Sequence, residues 1–128
     1  MTDTQWVPGR AAEARDRVRD LLHSCPDALD DLALADALLV TSELVTNAQR
    51  HGGGLAGFTA TLHDGHLRLV VADHSPAHPV SAPDRTAQAI GGYGWPLVRR
   101  LAARVDVLPT PGGKAIHVVL ALRRTPAG

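Results

Sequence analysis

The chain has 128 residues, 45% hydrophobic and 20% charged, which fits one folded domain with a single core and rules out disorder or a two-domain layout. Thirteen basic residues balance thirteen acidic ones. A general polyanion binder would be clearly basic, so direct nucleic-acid binding is not expected. A single cysteine, Cys25, excludes an internal disulfide and a cysteine-rich zinc site. No apolar run suits a membrane span, and the first residues lack a secretory leader pattern, so the expected location is the cytoplasm.

Along the chain, residues 1–9 read as a flexible N-terminus, 10–122 as the folded domain and 123–128 as a tail. From Arg10 to His23, Ala11, Ala14, Val18, Leu21 and Leu22 recur at helical spacing, and Pro26 lies just beyond. A second helix starts near Asp27 or Asp30 and runs to Arg50, with Leu34, Leu38, Thr41, Val45 and Ala48 as its apolar stripe; Gly52-Gly53-Gly54 ends it. Phe58–Leu62 and Leu67–Val71 alternate as strands around the Asp64-Gly65 hairpin signal. Asp73 continues the parity of Leu67, Leu69 and Val71, so it is expected on the buried face at the strand end. Residues 74–92 contain Pro76, Pro79 and Pro83 and no periodicity; a long irregular segment inside a small domain is usually functional. A third helix follows near Pro96, then a strand at Val105–Leu108, a turn at Pro109–Gly113 and a closing strand at Ala115–Leu122. This order predicts an α/β (α+β) two-layer sandwich, a mixed, mostly antiparallel sheet with three helices on one face.

Three groups of residues suit chemistry. Glu43 and Asn47, four apart, share a helix face: either a solvated surface or oxygen donors for a magnesium-nucleotide complex, with the carboxylate able to act as a base. Asp73 needs hydrogen-bond donors if buried, which an adenine amino group or the backbone amides of the next turn can supply. Gly91-Gly92-Tyr93-Gly94-Trp95-Pro96 opens a helix, and such amides attract phosphate. Leu97 breaks the dinucleotide-binding glycine pattern, and Leu108 with Ala115 breaks the P-loop pattern around Gly113-Lys114. The seven histidines (His23, His51, His63, His66, His74, His78, His117) show no zinc-type spacing with acid or thiol support. Trp6 reads as packing the chain start, Ser42 as pointing away from any ligand, and Cys25 as a small hydrophobe.

Taken in order, Glu43-Leu44-Val45-Thr46-Asn47-Ala48-x-x-His51-Gly52, Val71-Ala72-Asp73 and Gly91-Gly92-Tyr93-Gly94-x-x-Leu97-Val98 resemble the histidine-kinase-like ATPase superfamily (GHKL, Bergerat fold). The branch it resembles most is that of the anti-sigma factor serine/threonine-protein kinases, over roughly residues 10–122. The resemblance implies ATP and Mg2+ as cofactors. Asn47 would coordinate the metal, Glu43 would be the catalytic base toward a protein hydroxyl, and Asp73 would receive the adenine amine. Gly92 and Gly94 would hold phosphate, with His51 and Leu97 beside the nucleotide and residues 74–92 as its lid. The implied partners are a sigma factor and an anti-sigma factor antagonist protein, with a possible homodimer. A histidine-kinase role is not expected, because no dimerisation helix pair with a phosphoacceptor histidine precedes the domain. The chain departs from the pattern at His74-Ser75-Pro76, where the superfamily often has glycine two residues after the aspartate. It departs again at Ala115 and His117, where threonine after the lysine and then an aromatic are usual, and at Trp95-Pro96. These departures motivate an alternative: a non-catalytic docking regulator with weak or no ATP binding. The basic stretch 85–128, with Arg85, Arg99, Arg100, Arg104, Lys114, Arg123 and Arg124 against Asp106, reads either as a solvated face or as a surface for an acidic partner.

Overall fold

The computed structural model describes residues 6–24, 29–77 and 94–122. Cys25, Gly92, His78 and most of the expected lid lie outside the described residues, as do the first five and last six positions.

Helix α1 spans Ala11–His23, and Glu13 caps its start by accepting the backbone N–H groups of Gly9 and Arg10. Helix α2 spans Asp31–His51; the Asp30 side chain accepts the Ala33 N–H at 2.6 Å and satisfies one of the free donors of the first turn. Its buried stripe is Ala33, Ala37, Val40, Thr41, Leu44, Val45 and Ala48. Thr41, Val45 and Ala48 of the expected stripe are buried, whereas in the first half of the helix Leu34 and Leu38 flank the core and the smaller Ala33, Ala37 and Val40 face it. Thr41 is fully buried because its hydroxyl donates to the Ala37 carbonyl one turn back.

Strands β1 (Leu55–His63) and β2 (His66–Asp73) form a hairpin. Its two-residue turn needs positive φ at both positions, and Asp64 (48°) and Gly65 (73°) supply it. Helix α3 spans Gly94–Leu101, with Pro96 an early helix residue as expected. Strands β3 (Arg104–Thr110) and β4 (Gly113–Ala121) close the fold. Both are longer than the alternation alone indicated. The expected turn at Pro109–Gly113 shrinks to Pro111-Gly112, because Thr110 already pairs with Gly113 and Pro109 with Lys114. Pro109 is tolerated there because β3 is an edge strand.

The sheet order is β1-β2-β4-β3, and every pairing is antiparallel, so the expected mixed sheet is purely antiparallel among the described residues. Helices α1 and α2 pack on one sheet face and α3 packs on α2. The core joins Val18 and Leu22 of α1, Leu44 and Val45 of α2, Val98 of α3, and Phe58, Leu69, Val71, Ile116 and Val118 of the sheet. Register fixes that face: Phe58 opposes Val71, Leu69 opposes Val118, and Val71 opposes Ile116. Continuing one more step puts Asp73 opposite Lys114 on the same buried face. Trp6 packs edge-on against Phe58 at 5.6 Å, under the Arg17 guanidinium, as expected for a side chain that secures the chain start.

Candidate functional site

Asp73 ends β2 on the buried face, as its parity predicts. Three segments converge on it. Lys114 Nζ lies 2.8 Å from Asp73 Oδ2, with side chains only 4% and 1% exposed respectively. The Ser75 backbone N–H donates to Oδ1 at 3.0 Å, and Lys114 Nζ also donates to the Ser75 carbonyl at 3.1 Å. Gly52, just past α2, sits so close that a Cβ there would strike the Asp73 carboxylate; a Cβ on Gly113 would strike the Asp73 carbonyl. The His74 N–H donates to the Gly52 carbonyl at 2.9 Å and to the Gly54 carbonyl at 3.2 Å, tying the end of β2 to the loop after α2. Two glycines are thus required by close approach to one residue. Asp73 Oδ2, in spite of the neighbouring ammonium, has no hydrogen bond of acceptable geometry. The 2.8 Å separation is an ion contact with poor angle, so charge is compensated while the oxygen's directional capacity is unspent.

Glu43 lies two and a half turns earlier on α2, about 13 Å along the axis from Gly52. Its carboxylate abuts the first residue of α3: a Cβ on Gly94 would collide with Glu43 Oε2. Burial pushes the Glu43 carboxyl above its ordinary value of 4.5, and the Arg50 charge on the same helix partly opposes that rise. Asn47 falls between Glu43 and Gly52 and is half-buried, and its amide has no hydrogen-bond partner among the described residues. Glu43 and Asn47 offer the oxygen donors a hard divalent ion takes, and the chemistry of that donor set fits Mg2+ with most of its waters retained. His51 is exposed at the end of α2, and Leu97 is half-buried on α3 without joining the core.

The structure therefore brings Glu43 to Gly94 and Asp73 to Gly52, with α2 as the common spine. Ser42 turns away, accepting a hydrogen bond from Arg15 of α1 at 2.9 Å. Ala115 and His117 also turn away: they pair with Ala72 and Val70 on the opposite sheet face. Lys114, Gly52, Gly113 and Arg50 are residues of the site to which motif reading gives no role there, although Gly52 closes the first motif and Gly113-Lys114 is weighed as a P-loop. For Lys114 a signal existed, since a lysine in step with Ile116, Val118 and Leu120 is out of place on an apolar face. A cavity of about 390 Å3 lined by Ala33, Asp36, Arg100 and Leu122 lies toward the other end of α2, away from these groups. Among the described residues no cluster of three His, Cys, Asp or Glu side chains could hold a metal ion, and no helix is long and apolar enough to cross a membrane.

Residues 7–120 match the histidine kinase-like ATPase domain family. The chain belongs to that family. As a histidine kinase-like ATPase domain it is of an ATP-binding class. A solved structure with the same fold is a blue-light activated histidine kinase of Erythrobacter litoralis EL346, 22% identical, with a TM-score of 0.52 over 73% of this chain. The match covers 32% of that kinase, so this domain spans about a third of its length. No curated protein matches the chain.

Proposed function

We propose that this histidine kinase-like ATPase domain is an anti-sigma factor serine/threonine-protein kinase. In this reading MgATP lies along α2, with the base at Asp73, the metal at Asn47 and the phosphates at the start of α3. The observation that carries the proposal is the contact between Glu43 and Gly94. It sets a carboxylate of raised pKa beside Gly94, the first described residue of α3, and the reading places the phosphates there. Glu43 accepts the proton of a protein serine or threonine hydroxyl as that oxygen bonds the γ-phosphorus and ADP departs. Mg2+, when bound, neutralises phosphate charge. Transfer of this kind needs positioning and charge compensation more than covalent chemistry from the protein, so a short set of groups is sufficient. The partners are a sigma factor, held by docking, and an antagonist protein that is the phosphoacceptor.

The test is transfer of label from γ-labelled ATP to an anti-sigma factor antagonist, with MgATP affinity measured by calorimetry on the same preparation. Wild type should bind and transfer, Glu43→Gln should bind without transfer, and Asp73→Asn should bind poorly. Binding without transfer by the wild type would overturn the kinase reading. A second reading, a docking regulator with weak ATP affinity, is favoured by the ion contact between Asp73 and Lys114, which engages the base-binding acid before any nucleotide arrives. No heat on titrating MgATP into wild type would select it.

A further inference from the structure

We propose that Lys114 is a second base-reading residue: with Asp73 accepting from the adenine amine, the Lys114 ammonium donates to the ring nitrogen beside that amine. This inference rests on the reading of Asp73 as the base acceptor.

It follows from a count of protons and lone pairs. Asp73 Oδ1 is engaged by the Ser75 N–H, while Oδ2 is buried without a hydrogen bond of acceptable angle. Lys114 Nζ carries three N–H groups. One is used on the Ser75 carbonyl, and the ammonium charge faces Oδ2. A proton on Nζ and a lone pair on Oδ2 therefore remain, on atoms 2.8 Å apart. The cross-strand register of β2 and β4 fixes both groups, and the Ser75 carbonyl anchors the ammonium.

A lone carboxylate accepts from any amine and says little about the rest of the ring. A carboxylate with a fixed donor beside it requires an amine flanked by an acceptor, which adenine presents on its Watson–Crick edge as the amino group beside N1. The ammonium is too deeply buried to be moved aside cheaply, because leaving either charge unpaired in this environment is unfavourable. An entering base meets the acid and the ammonium together.

The experiment is calorimetry of the full chain with Mg2+ and either ATP or 1-deaza-ATP, in which that ring nitrogen is a C–H. Wild type should bind ATP about tenfold or more tighter than the analogue, as expected for loss of a hydrogen bond to a charged group. In Lys114→Met the two nucleotides should bind alike, within about twofold. Lys114→Arg, which keeps a charged donor, should retain part of the discrimination, and together with the wild-type comparison it decides the matter if Lys114→Met does not fold. Equal binding of the two nucleotides by wild type, or tighter ATP binding by Lys114→Met than by wild type, would overturn the inference and leave Asp73 as base acceptor. Absence of binding of either nucleotide to wild type would overturn the Asp73 reading and this inference with it.

Discussion

Asp73 on β2 and Lys114 on β4 are direct cross-strand neighbours, with opposite charges 2.8 Å apart and almost no contact with solvent. Removing one partner of such a pair leaves the other charge buried alone, whereas replacing both with apolar groups is often neutral. Asp73→Ala should therefore lower stability by about 3–5 kcal/mol in urea unfolding. The double substitution Asp73→Leu/Lys114→Met should recover most of that loss. Equal losses for the single and double variants would show that the two side chains are not coupled.

The pH behaviour of Glu43 follows from its burial. The folded chain holds that proton to higher pH than the unfolded chain, whose carboxyl titrates near 4.5. From 4.5 up to the raised value the folded state binds more protons, so this group's contribution to stability falls as pH rises through the window and stays low above it. Glu43→Gln should therefore raise Tm relative to wild type at pH 7, and the gain should shrink below the ordinary carboxyl value. The same variant should lose about 10²–10⁴-fold in phosphotransfer while keeping MgATP affinity. A Tm difference independent of pH would remove burial of the carboxyl as the cause.

The glycines separate fold from function. At Gly113 an added methyl meets the Asp73 main chain, which cannot step aside, so Gly113→Ala should cost about 1–3 kcal/mol of stability. At Gly94 the methyl meets the tip of Glu43, a side chain that can swing away, and alanine is the better helix former by about 1 kcal/mol. Gly94→Ala should thus fold about as well as wild type yet lose phosphotransfer through a displaced Glu43. Comparison of unfolding midpoints with transfer rates for the two variants checks this.

The elements were legible because each obeys its own period: Ala14, Val18 and Leu22 mark α1, and Leu67, Leu69 and Val71 mark β2 and project Asp73 to the buried face. The Asp64-Gly65 turn was legible because its chemistry demands positive φ. Two things were hidden. In the first half of α2 the buried face was hidden because Leu32–Val40 is apolar nearly all round, so periodicity could not choose between Leu34 and Ala33. The partner of Asp73 was hidden because Gly112-Gly113 looks like a turn, while the true turn sits one residue earlier and moves Gly113 and Lys114 into the strand. That shift also places Ala115 on the far face, away from Asp73.

Trp6 offers a readout of the chain start. Its ring meets Phe58 edge-on and lies under Arg17, so Trp6→Ala should cost about 1–3 kcal/mol. Chemical unfolding measures this, and an unchanged midpoint would mean that the aromatic contact contributes nothing.

The carbonyl of Trp6 also accepts the Phe58 N–H at 3.0 Å, on the side of β1 that has no neighbouring strand among the described residues. A donor that would otherwise invite another polypeptide is thereby occupied from within. Proteolytic trimming ahead of Val7 would reopen this border and promote lateral stacking of one molecule on the next, turning loss of a short leading segment into a problem of colloidal behaviour.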